Sequence, residues 1–253
     1  MLAGPQVVNT GATVVRGDLG VSPGSAVAGF PGGKVVDGGI RNSGDGPSLA
    51  QKDAAIAYTD LASQPCNVKL SGQDLGGQTL TPGVYCFPGS AATLTGELVL
   101  DAQGDPDAVY VFQVGTTLTT AAGSSVRVAN SGQRSDEKAA DPRAPSASLC
   151  HVYWQVGDFA TLGKDSKFVG TIIAQRTIGV GANAGVDGRT LAKTGAVTLD
   201  SDSVQIPACA VALAALAGAA APLAGIPPGV VGIVPAGIAA YSVVNDKKSR
   251  SPN

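Results

Sequence analysis

From residue 68 onward the chain alternates apolar and polar residues in short runs: VKLSGQDLGGQTLTPGVYCF, ATLTGELVLDA, AVYVFQVGTTLTTAAGSSVRV, HVYWQVGDFATLG, FVGTIIA and AVTLD. A period of two puts alternate side chains on opposite sides of an extended backbone, so these runs predict short strands. Their wealth of Val and Thr suits a pleated surface. Residues 1–46, rich in Gly, Val and turn residues, predict further short strands and loops. One stretch departs from this pattern. SLAQKDAAIAYTDLAS, residues 48–63, follows Pro47 and opens with Ser48 and Gln51 in the spacing of a capping box. Ala50, Ala54, Ala57, Tyr58 and Leu61 form an apolar stripe at helical spacing. The stripe is narrow and its residues small, which predicts a helix lying flat on another surface.

The strand region contains an internal repeat. A shift of 18 places residues 159–176 on 177–194: Leu162 falls on Val180, Phe168 on Val186, Gly170 on Gly188, Ile173 on Leu191 and Ala174 on Ala192. A second shift takes Val186 to Val204. Eighteen residues suit one coil of a three-sided solenoid, with about six residues per side at roughly 3.3 Å each. Matching apolar residues would stack inward, and Gly170 and Gly188 would turn corners.

Two segments break the strand pattern. NSGQRSDEKAADPRAPSAS, residues 130–148, holds six charges, two prolines and no large apolar residue, and predicts an exposed loop. Residues 203–245 carry no charge, and Lys247, Lys248 and Arg250 follow. An apolar tail with a basic end is the pattern of a membrane segment with its main domain outside. Pro227, Pro228 and Pro235 interrupt it, so an Ala/Gly-rich extension packed on protein is the alternative. The chain thus divides into a domain at 1–209 and an apolar tail at 210–253.

Composition narrows the function. Lys and Arg number 17 against 19 Asp and Glu, a net charge of −2, which disfavours a nucleic-acid partner needing a basic face. No metal site is expected, because none of Cys66, Cys86, Cys150 and Cys209 lies in a CxxC pair and His151 is the sole histidine. An even number of widely spaced cysteines fits two disulfides and an oxidising compartment. Spacing alone does not fix connectivity; the pairing expected is Cys66–Cys86 and Cys150–Cys209. Cys150 and His151 are sequence neighbours without a third orienting group, so no catalytic pair is expected and the chain does not read as an enzyme. Asp101, Asp105 and Asp107 suit a turn better than calcium. No phosphate loop or cofactor motif occurs.

GDLGVSPGSAVAGFPGG, DLGGQTLTPGVYCF, LTGELVLDAQGDPDAVYVFQVGTTLTTAAGSSV, VYWQVGDFATLGKDSKFVGTIIA and GRTLAKTGAVTLDS together resemble the microbial ice-binding (antifreeze) protein family. The resemblance runs from about residue 4 to 209. It implies an all-β-dominated fold: a right-handed, irregular β-solenoid (β-helix) with one α-helix packed alongside, to which this chain adds its apolar C-terminal tail. It also implies a secreted protein that adsorbs to ice and inhibits its growth or recrystallisation; the apolar tail adds the expectation of anchoring at the cell surface, and the protein is expected to be a monomer. Family members carry a signal peptide and a first strand before an Asn-Thr-Gly turn. MLAGPQVVNTG carries no signal peptide, and Leu2-Ala3-Gly4 is similar to the end of that strand, so the resemblance implies that Met1 is an internal or misassigned start.

An ice-binding face needs regularly spaced hydroxyls and methyls with little charge, and Thr supplies both. Thr-Leu-Thr occurs at Thr79/Thr81, Thr93/Thr95 and Thr117/Thr119, with Leu expected inward and both Thr outward. Thr161, Thr171 and Thr198 are further candidates, and Thr10-Gly11-Ala12-Thr13 matches a pattern found in active members. The intervals between the pairs are unequal, so a common face does not follow from sequence. The alternative function is a surface adhesion or structural module on the same scaffold without ice affinity. A carbohydrate-active solenoid enzyme would need clustered carboxylates, and here they are scattered.

Overall fold

A computed structural model describes residues 1–132 and 150–206. The strands pair in parallel in three sheets of nine, seven and eight strands, called here faces A, B and C. One turn of chain crosses all three. Val152–Val156 lies on face A, Ala160–Leu162 on face B and Lys167–Val169 on face C, and the next turn repeats this with Thr171–Ala174, Ile178–Val180 and Gly185–Asp187. The fold is a β-solenoid. Its register matches the 18-residue repeat: Leu162 pairs with Val180, Phe168 with Val186, Ile173 with Leu191 and Val186 with Val204. The two repeat glycines meet at the corner between faces C and A. Gly170 has a left-handed φ of 114°, and a Cβ on Gly188 would lie 1.9 Å from the Gly170 carbonyl oxygen.

The coils do not stack in chain order. Along face A the strands run 40–41, 19–21, 2–3, 190–192, 171–174, 152–156, 110–114, 83–87 and 68–69. The first coils of the chain therefore dock on the last, with Leu2 paired to Leu191 on one side and Gly20 on the other. This order leaves residues 41 and 68 at opposite ends of the nine-stranded sheet. Eight spacings of about 4.8 Å put them on the order of 38 Å apart. The helix, Asp45–Ser63, makes that return. Its 19 residues cover about 28 Å at 1.5 Å each, and the short links at its ends supply the rest.

The helix begins three residues ahead of the expected Ser48. Gly44 is its N-cap with no side-chain cap. Ser48 Oγ instead donates to the Asp45 carbonyl oxygen, and Gln51 Nε2 donates to the Ala192 carbonyl oxygen on face A. Tertiary anchoring has replaced the capping box. Ala54, Ala57 and Leu61 pack on Leu2, Val111, Ile173 and Leu191, and small residues let the helix lie close to the sheet. Gln113 Nε2 donates to the carbonyl oxygens of Leu61 and Gln64, satisfying groups that a helix C-terminus leaves open. Just beyond, a disulfide joins Cys66 to Cys86 on face A. Cys209 and the tail after residue 206 lie outside the described residues, as does 133–148 of the expected loop.

Inside the solenoid, inward side chains stack coil upon coil. Tyr85, Phe112 and Trp154 occupy one register column, with ring centroids 5.5 and 3.8 Å apart. Trp154 Nε1 donates to the Val169 carbonyl oxygen at 3.0 Å, so its one polar atom is satisfied while buried. Under face B, Leu94, Leu118, Leu162, Ile178, Val197 and Leu199 are all buried. Each such side chain contributes about 1.5–3 kcal/mol of burial.

Candidate functional site

The three faces present different chemistry. The helix lies over part of face A. Face C is charged: Arg127 pairs with Glu97 at 3.2 Å, Arg16 pairs with Asp37 at 3.0 Å, and Lys167 and Asp187 sit at outward positions between them. The outward positions of the face B strands carry no Lys, Arg or Glu, and their one acid, Asp200, lies at the end of its strand, next to the corner with face C.

Along the middle of face B one residue per coil falls into a single register column. In order these are Thr93, Thr119, Thr161, Gly179, Thr198, Val8 and Ala28. The four threonines are exposed, each between two buried neighbours on its own strand. Strand alternation alone produces this arrangement: Ala92 and Leu94, Leu118 and Thr120, Ala160 and Leu162, and Val197 and Leu199 point in, so the residue between them points out. Parallel pairing sets the column spacing at about 4.8 Å. Thr is β-branched and stiff at χ1, so its methyl and hydroxyl hold their positions with little entropy to lose.

The sequence-selected threonines separate into groups. Thr93, Thr119, Thr161 and Thr198 come together in the column. Thr117 is half-buried and one residue ahead of the strand Leu118–Thr120, where its carbonyl accepts from Ala92. Thr95 is exposed, but its hydroxyl donates to Asp74 Oδ2 at 2.9 Å and its N–H to Asp74 Oδ1, so it serves the corner turn. Thr79 lies on face C, and Thr81 is on the link from there to face A, where its carbonyl oxygen accepts from Tyr85 Oη. Thr171 is 3% exposed on face A. In the Thr10–Thr13 motif Thr10 is exposed, while Thr13 is fully buried and accepts the N–H of Asp202. The Thr-Leu-Thr motifs therefore do not form one array, because each begins at a different point of its coil. Gly179, Val8 and Ala28 share the column and were missed. The 18-residue shift already carries Thr161 onto Gly179.

The rims of face B hold its charge. On the side toward face A, Arg176 pairs with Asp158 at 3.2 Å and stands over the Phe159 ring. On the side toward face C, Asp202 is 2% exposed. Burial pushes its carboxyl up to about 6, and the Asp200 carboxylate adds to this, although backbone N–H groups of Asp200 and Ala184 oppose it. At the turn after face C, Asp101 Oδ1 accepts from the Gln103 N–H and from Asn130 Nδ2, and Asp105 Oδ1 from the Asp107 N–H, which is turn chemistry. Among the described residues no three of His, Cys, Asp and Glu group so as to hold a metal ion, and no helix is long and apolar enough to cross a membrane.

A family model described as ice-binding-like matches residues 1–205. The chain belongs to this family. An ice-binding protein of Nostoc sp. (strain HG1) is 45% identical over 205 residues, covering 81% of this chain and 70% of that one. Ice-binding protein 1 of Shewanella frigidimarina is 30% identical over 235 residues, but this chain spans only 25% of its length. The crystal structure of an ice-binding protein from the Antarctic ascomycete Antarctomyces psychrotrophicus superposes with a TM-score of 0.72 at 35% identity, covering 81% of this chain and 93% of the other.

Proposed function

We propose that the protein binds ice through face B and so inhibits ice growth and recrystallisation. The observation that carries this is the in-register column of Thr93, Thr119, Thr161 and Thr198 on the one sheet that, among the described residues, lacks both a helix over it and charged side chains across its middle. An ice surface offers no charge for a lysine or carboxylate to pair with, and such groups hold their own hydration. Hydroxyls at a fixed strand spacing order water in place, and the methyls beside them exclude disordered water. The function is adsorption, to which both the family and the face point, and no catalytic step enters it.

The Cys66–Cys86 disulfide supports a site of action in an oxidising setting, outside the cytoplasm. The apolar tail at 210–253 with its basic end would hold the domain at the cell surface, and fractionation of cells expressing the full chain would find it with membranes. The direct test of function is ice recrystallisation inhibition by the folded protein, with Thr119→Tyr and Thr161→Tyr beside it. Inhibition lost in both variants supports face B. Inhibition unchanged in both, with circular dichroism unaltered, places the ice-binding face elsewhere.

A further inference from the structure

The threonine column has one break. Gly179 stands between Thr161 and Thr198 in register and presents no side chain. Thr161 and Thr198 are therefore two coils apart, about 9.6 Å, where the other column threonines are one coil from a neighbour. The break divides the hydroxyl-bearing positions into a run of three coils and a solitary Thr198. Nothing in the backbone requires glycine here. Gly179 lies in the strand Ile178–Val180, has no left-handed φ, and a Cβ built on it would meet only Thr198 Oγ1, at 3.4 Å, an ordinary contact. Glycine in a strand interior also forgoes the stability that a β-branched residue would supply. The corner glycines contrast with it: at Gly188 a side chain would collide with backbone.

We propose that Gly179 limits the strength with which this protein holds ice, by interrupting the ordered-water row between Thr161 and Thr198. This rests on face B being the ice-binding surface. Filling the notch with threonine joins the row across five coils, from Thr93 to Thr198. Gly179→Ala restores only a methyl and Gly179→Thr restores methyl and hydroxyl, so the two substitutions form a graded series.

The experiment measures ice recrystallisation inhibition and thermal hysteresis of the full chain as wild type, Gly179→Ala, Gly179→Thr and Thr161→Tyr, with melting curves for each. Gly179→Thr is expected to lower the concentration needed for inhibition by about three- to tenfold, and Gly179→Ala by less. Thr198→Val, which replaces the hydroxyl by a methyl at nearly the same volume, should cost little in the wild type and more in the Gly179→Thr background, where its row is continuous. A Gly179→Thr protein that melts no lower than wild type yet inhibits equally or less well overturns the proposal, provided that the wild type is active and Thr161→Tyr abolishes its activity. A wild type without effect on ice, or one indifferent to Thr161→Tyr, overturns the reading of face B instead, and this proposal with it.

Discussion

Thr161 and Leu162 are neighbours in the chain and point to opposite sides of face B, so substitutions there should produce opposite losses. Leu162 is 1% exposed, and its strand lies between strands on both sides in a continuous stack. Such a site has little freedom to collapse. Leu162→Ala removes the buried side chain and leaves a cavity, at a cost of about 3 kcal/mol within the usual range of 2–5. For a domain of this size each kcal/mol moves the midpoint by about 2–4 °C, so Tm should fall by about 6–12 °C. The outward face is untouched, so Leu162→Ala protein that is folded in the cold should still inhibit recrystallisation. Thr161→Tyr buries nothing new and leaves the core intact, and its Tm should move by less than about 2 °C. Its ring stands proud of the column and holds ice away from the neighbouring threonines, so inhibition should be lost. Melting by circular dichroism and recrystallisation assays on both variants read the two effects separately. A Tyr variant that melts as early as the Ala variant, or an Ala variant folded in the cold but inert toward ice, would refute the division of labour.

Further expectations concern stability. Replacing Cys66 and Cys86 together by Ala opens a loop with a sequence separation of 20, which should cost about 3 kcal/mol and appear as an earlier melt by circular dichroism. Asp202 is raised to about 6 in the folded state from 3.8. The native protein therefore binds more protons than the unfolded chain between those values, so this group's penalty is full above pH 6 and is relieved as pH falls toward 4. Denaturant titrations should show its contribution improving over that interval and absent from Asp202→Asn. Trp154→Phe keeps a ring in the Tyr85–Phe112 column but leaves the buried Val169 carbonyl without its donor, at about 1–3 kcal/mol in urea unfolding.

How much of this was legible in the sequence depends on the range of each interaction. The coil length was legible because a parallel solenoid repeats its inward apolar positions, and Phe168, Val186 and Val204 do so at constant spacing. The helix was legible but its start was not, because Gln51 is held by a carbonyl 141 residues away rather than by its local capping partner. The stacking order was hidden for the same reason: nothing near Leu2 announces that its partner is Leu191. Single threonines of the column were picked out by local context. Their assembly into one column needs the register between coils of unequal length, such as Thr119 against Thr161, which spacing in the chain does not contain.

The docking of chain beginning onto chain end bears directly on the face. At the corner between faces B and C, Asp165, Asn183 and Ser201 adopt left-handed φ values of 57°, 59° and 57° in three successive coils. Repeating one corner geometry holds the ends of these three face B strands at the same level, which is what a plane requires. The ladder then continues across the junction between last and first coil. Asn183 N–H donates to the Asp200 carbonyl oxygen, Ser201 N–H to that of Thr10, and Asp202 N–H to Thr13 Oγ1. Thr198 consequently meets Val8 in register although 190 positions separate them. A row of ordered water has no use for chain continuity, only for equal spacing. The buried Asp202 and Thr13, costly as polar groups, hold that spacing where no covalent link does. Face B can therefore extend past the end of the repeat onto Val8 and Ala28, so that the apolar part of its central column comes from the first coils and the hydroxyl part from the later ones.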